Sequence, residues 1–162
     1  MAASPALFVR VTTTDDDPIV EELFTHLTKP LELHRGGESY LAFSTLRKAI
    51  YERSSDNSDV ILLCFSGAEA IALASCRLDE AFGTRYCSLE MLLPDPPEVL
   101  AGVVEILVHA AENFARSHGA TAVDIASLPG DQKTKSALEE RGFKARLLVM
   151  HRSIEGPSSS VR

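Results

Sequence analysis

Between Asp59 and Leu93 the chain carries three apolar runs in close succession, Val60 to Phe65, Ala70 to Leu78 and roughly Thr84 to Leu93, divided only by turn signals at Gly67 and at Asp79 to Gly83. Runs of this kind read as strands. Connections this short permit only antiparallel neighbours, because a parallel pair needs a crossover of a dozen or more residues. The middle of the chain is therefore expected to be a three-stranded antiparallel meander. Folding its second hairpin about that turn sets Cys76 nearly opposite Cys87, near enough for a strained disulfide, although both thiols are expected to stay reduced.

The flanks have a different rhythm. Leu7 to Thr12 alternates apolar and polar residues, and Asp15, Asp16, Asp17 and Pro18 then supply capping carboxylates and a proline suited to a first helical turn. Ile19, Leu23 and Leu27 recur at four-residue spacing along that helix, Lys29 and Pro30 are expected to end it, and Gly36 and Gly37 to break the stretch after it. A second helix is expected from Ser44, which would cap Thr45 to Arg53. After the meander, Val99 to His118 shows one apolar stripe of Leu100, Val103, Leu107, Ala110 and Phe114, with Gly119 where a helix would stop. Ala122 to Ala126 reads as a short buried strand, Gln132 to Arg141 as a last helix stopped by Gly142, and Phe143 to Ile154 as a closing strand. The order βααβββαβαβ predicts one α/β (α+β) domain over residues 1–155, with 156–162 as a disordered tail.

Composition narrows the function classes. A net charge of −7 without a Lys/Arg cluster argues against nucleic acid, whose backbone is bound by clustered cations. No apolar run reaches the ~18 residues of a membrane span, and the start MAASPALFVR lacks the order of a signal peptide, so the cytoplasm is the expected compartment. Cys64, Cys76 and Cys87 all lie in apolar runs and read as core thiols. His26, His34, His109, His118 and His151 show no ligand spacing on a shared face, so no metal site is expected.

The local wording is more specific. Leu89, Glu90, Met91, Leu92, Leu93, Pro94, Asp95 and Pro96 match a strand motif L-E-x-L-x-V-x-P except at Val, and Ser136 to Phe143 ends in Arg141, Gly142 and Phe143. With AAENFARSHGATAVDI between them, the order and spacing resemble the GNAT acetyltransferase superfamily from end to end. The resemblance implies a mixed central sheet with an antiparallel N-terminal meander and flanking helices. It also implies acetyl-CoA as cofactor and acetyl transfer to a small amine or a protein amino group. Glu90 falls where the family's strand carboxylate often serves as base. Leu92, Leu93, Pro94, Leu100, Ala101, Gly102, Val103 and Val104 fall where the family binds coenzyme A.

Three departures fall within that match. The family opens its long helix with R/Q-G-x-G-x-G/A, where small residues let backbone N–H groups approach a pyrophosphate. Only Gly102 remains of it here, and Leu100 and Val104 are expected to place bulk where the phosphates would sit. Pro94 has no N–H for the pantetheine arm, a loss of about 1–3 kcal/mol. Leu138 stands where many members carry a tyrosine that protonates the departing thiolate. The resemblance places His34, Arg35, Glu38 and Tyr40 on the acceptor-side wall, while Lys133 and Lys135 read as solvated charges or phosphate contacts. The segments LPDPPEVLAGVVEILVHAAENFA and ALEERGF are also similar to ornithine decarboxylase antizyme, a GNAT-like scaffold, which implies a non-catalytic alternative that binds a protein partner. Many members of the superfamily pair through terminal elements, so a homodimer is a further expectation.

Overall fold

A computed structural model of the chain describes residues 6–33, 37–42, 44, 46, 49–50, 59–94, 100–128, 130–147 and 150. Strand β1 (Leu7–Val11) leads through a 3-10 turn (Thr14–Asp16) into helix α1 (Asp17–Glu32) and a short helix α2 (Gly37–Ala42). Strands β2 (Asp59–Ser66), β3 (Glu69–Ala81) and β4 (Thr84–Leu92) follow, then helix α3 (Leu100–Ser117), strand β5 (Val123–Ile125) and helix α4 (Gln132–Glu139). The five strands lie in sequence order in one sheet, antiparallel from β1 to β4 and parallel only between β4 and β5. The mixed α/β architecture expected from the sequence is the one observed.

The β3–β4 hairpin is tighter than its sequence suggests. Ala81 pairs with Thr84, leaving Phe82 and Gly83 as a two-residue turn with φ of 53° and 73°. Two positive φ values are what the favoured hairpin turn requires. This register puts Cys76 opposite Leu89 and Cys87 opposite Leu78, so the two cysteines are diagonal neighbours rather than nearly opposite. Both thiols are free and buried, and hydrogen bonding to Cys87, followed by burial, pushes the Cys76 thiol well up.

The sheet is packed on both faces. On one, α3 lays Leu100, Val103, Val104, Leu107, Val108, Ala111 and Ala115 against Cys64, Ala72, Ala74, Cys87, Leu89 and Met91. On the other, Val20, Phe24 and Leu27 of α1 cover Ile61, Leu63, Phe65, Leu73 and Leu92, with Leu46 among them. Because strand side chains alternate, each of β2, β3 and β4 feeds both clusters.

Several boundaries differ from expectation. Helix α1 runs through Pro30 to Glu32, since a proline in the last turn forfeits one bond and Leu33 closes the end by donating to Pro30. Gly37 begins α2 rather than ending order. A Cβ there would stand 1.8 Å from the Leu31 carbonyl oxygen, so only glycine allows that approach. Of the helix expected from Ser44, residues 46, 49 and 50 are helical, while 45, 47–48 and 51–53 lie outside the described residues. Residues 143–147 of the expected closing strand are not in a strand, and its remainder, apart from Met150, lies outside the described residues with the tail 156–162. Among the described residues no helix is long and apolar enough to cross a membrane.

Candidate functional site

The parallel junction is short. Only Cys87, Ser88 and Leu89 of β4 pair with Val123, Asp124 and Ile125 of β5, while β4 continues against β3 to Leu92. Beyond Leu89 the two strands therefore part, and the β5-facing edge of β4 carries no strand partner among the described residues. A cleft of about 60 Å³ opens in this gap, lined by Leu92, Leu93, Ile125 and Ser127, by Tyr40 of α2 and by Asp131 before α4.

The sequence candidates divide around this cleft. Leu92 and Leu93 line it, and Pro94 follows at the strand end, half-buried. Leu100, Val103 and Val104 do not present side chains at the helix start, for all three are buried in the cluster between α3 and the sheet. Spacing of i, i+3 and i+4 turns them inward and leaves the exposed Ala101 on the outer surface of that turn. Gly102 is half-buried facing β1, where a Cβ would meet the Leu7 side chain at 3.1 Å. Leu138 is buried in the same α3-side cluster.

Glu90 is not on a solvent-facing surface. It is 6% exposed, on the α1 side of the sheet. Its Oε1 accepts from the Ser44 hydroxyl and its Oε2 from the Leu46 N–H at 3.0 Å. A carboxylate so engaged ties the segment after α2 down onto the sheet. Directly across the strand pair, the Ser75 hydroxyl is buried with no hydrogen-bond partner among the described residues.

Tyr40 and Asp131 both line the cleft. Burial first, then the negative charges of Glu90 and Asp131, push the Tyr40 phenol far above its ordinary value, so it stays protonated at neutral pH. Asp131 caps α4, its Oδ1 accepting from the Thr134 N–H at 3.1 Å. The resemblance placed Tyr40 on a substrate wall, whereas Asp131 was not among the residues singled out in the sequence. A capping aspartate between a buried strand and a helix was the available signal.

Other flagged residues stand apart. Asp16 turns back to Arg10 and Thr13 rather than holding a cation. Lys133 and Lys135 are exposed, the latter 3.8 Å from Glu139. His118 rests against the Phe114 ring, and burial raises the Cys64 thiol to about 11. His34, Arg35, His151 and the Glu38 side chain lie outside the described residues. Among the described residues no group of three or more His, Cys, Asp or Glu side chains could hold a metal.

No family model and no curated protein matches the sequence. Solved structures do match. An aminoglycoside N-acetyltransferase in complex with CoA is similar at a TM-score of 0.65 and 16% identity, over 95% of this chain and 99% of that one. A predicted acetyltransferase with acetyl-CoA from Clostridium acetobutylicum is similar at 0.67 and 10%, over 92% and 97%. An aminoglycoside acetyltransferase from an uncultured soil metagenomic sample, in complex with sisomicin, is similar at 0.65 and 12%, over 93% and 97%. Likeness over nearly the full length of both chains, at such low identity, establishes a shared architecture, and the chain has the fold of the GNAT acetyltransferases.

Proposed function

We propose that the chain is an N-acetyltransferase that binds acetyl-CoA between β4 and β5 and transfers its acetyl group to an amine. One observation carries the reading, the parting of the two strands after Leu89 and Ile125 with a cleft of mixed apolar and polar walls in the gap. An open strand edge binds an extended amide-bearing arm through backbone hydrogen bonds. The residues fit such a group. Leu92 and Leu93 supply apolar walls that exclude water, while Pro94, without an N–H, contributes only its carbonyl to the arm. The inward turn of Leu100, Val103 and Val104 leaves the small Ala101 on the outer surface of the first turn of α3, whose leading N–H groups have no partner within the helix, which suits a pyrophosphate. Bound acetyl-CoA supplies the acyl group as an activated thioester. Two solved proteins of this fold hold CoA or acetyl-CoA, which supports the same ligand here.

In this reading Glu90 is a positioning residue rather than the base. Its two oxygens hold Ser44 and Leu46, and so hold the acceptor-side wall against the sheet.

The test is calorimetric titration with acetyl-CoA and with free coenzyme A, on the wild type and on Ser127→Trp. Ser127 lines the cleft and is exposed, so the indole fills the gap without entering the core. Micromolar binding weakened at least ~10-fold in the variant, about 1.4 kcal/mol, is the expected result. Absence of binding at millimolar acetyl-CoA would overturn the reading and leave the antizyme-like alternative, a non-catalytic fold that captures a protein partner.

A further inference from the structure

The charge of the cleft points to a ligand of its own. Among its described lining residues Asp131 is the one carboxylate and there is no Lys, Arg or His, while the phenol of Tyr40 is neutral and the remaining walls are Leu, Ile, Met, Ala, Ser and Thr. A pocket with leucine and isoleucine walls, one carboxylate and no cation among its described lining residues repels anions and attracts a positive group whose stem is hydrocarbon. The carboxylate also has capacity to spare. Oδ1 accepts from the Thr134 N–H at 3.1 Å, whereas Oδ2 accepts no hydrogen bond among the described residues. An ionised carboxylate has about four lone-pair sites, so an ammonium can be held without giving up the cap.

We infer that Asp131 is the ammonium-binding carboxylate of this site, taking a primary alkylammonium and accepting its proton, with Tyr40 as the neighbouring wall. The inference rests on the acetyltransferase reading for its chemistry but not for its binding. Glu90 is engaged elsewhere, which leaves Asp131 as the carboxylate lining the gap where the thioester would lie. In the transfer step the ammonium gives one proton to Asp131. The neutral nitrogen then forms the C–N bond to the acetyl carbon as the C–S bond breaks. The nitrogen's second proton neutralises the departing thiolate, and Asp131 returns its proton to solvent.

Asp131→Asn separates this role from helix capping. Asparagine caps a helix as well as aspartate does but carries no charge, so a residue that is only a cap tolerates the change. The probe is propylammonium chloride, titrated into wild type and Asp131→Asn and followed by amide NMR shifts, with propanol as the uncharged control. The expected result is saturable binding of propylammonium to the wild type, centred on Ile125, Ser127 and Thr134, and at least 10-fold weaker in Asp131→Asn at unchanged melting temperature. Propylammonium binding that is absent from the wild type, equal in the variant, or matched by propanol overturns the inference. Acetyl-CoA titration of the same variant keeps the two readings apart. Acetyl-CoA binding that persists while propylammonium fails sinks only the role of Asp131, whereas loss of acetyl-CoA binding from the wild type sinks the donor site whatever the amine does.

Discussion

Asp16 is 5% exposed, yet it sits among charged and polar partners rather than in the core. Arg10 donates to both of its oxygens at 2.6 Å and the Thr13 N–H donates at 2.7 Å, and the Arg10 bond is the main reason its carboxyl titrates well below the usual carboxylate range. In the unfolded chain the same group titrates near ~3.9. A carboxyl whose folded value is depressed adds stability above that point and loses it as pH falls further. Thermal melts should therefore show the wild type's advantage over Asp16→Asn beginning to shrink as pH drops below about 4 and continuing to shrink below about 3, and parallel curves for the two proteins would refute this. The run Asp15 to Asp17 was legible in the sequence as the start of a helix. Which carboxylate matters was not, because its partner Arg10 belongs to the preceding strand. Glu90 shows the same limit, since its burial depends on Ser44 and Leu46, more than forty residues earlier in the chain.

The two helix ends closed by glycine were among the most readable features because their chemistry is local. At α4 the Phe143 N–H donates to Leu138 and the Gly142 N–H to Glu139, with Gly142 at φ 85°; at α3 Ala120 donates to Ala115 with Gly119 at φ 73°. Both use a left-handed glycine to close the last turn. Gly142→Ala should cost about 1–2 kcal/mol, the penalty of a Cβ in that conformation, read as a lower urea midpoint at unchanged slope. A smaller shift would mean the turn unwinds instead. Elements set by close approach were less readable. Gly37 looks like a breaker in the sequence, but its fit against the Leu31 carbonyl lets α2 start there. Likewise the Cys76–Cys87 relationship turned on whether the hairpin loop held two residues or more, and a slip of two positions changes opposite neighbours into diagonal ones.

At the scale of the whole molecule, the meander followed from apolar runs and turns, and the flanking helices from the resemblance. The cleft did not, because it arises where pairing stops. Nothing in Val123 to Ile125 announces that β5 leaves β4 after three residues. That brevity also affects how the molecule comes together. Strands β2, β3 and β4 are joined by tight hairpins and can zip from neighbour to neighbour, but β5 must be carried back across the sheet by α3 before its few bonds can form. Distant closures cost chain entropy before they return any contact, so such pieces join late and let go early. Amide hydrogens of Val123 to Ile125 should accordingly exchange through a local opening well below the global unfolding free energy, while those of Leu73 and Ala74 wait for the whole sheet to open. Uniform exchange across the five strands would contradict this. The gap that gives the chain a place for a ligand thus doubles as the seam along which it first comes apart, and whatever fills the gap acts as its stitch.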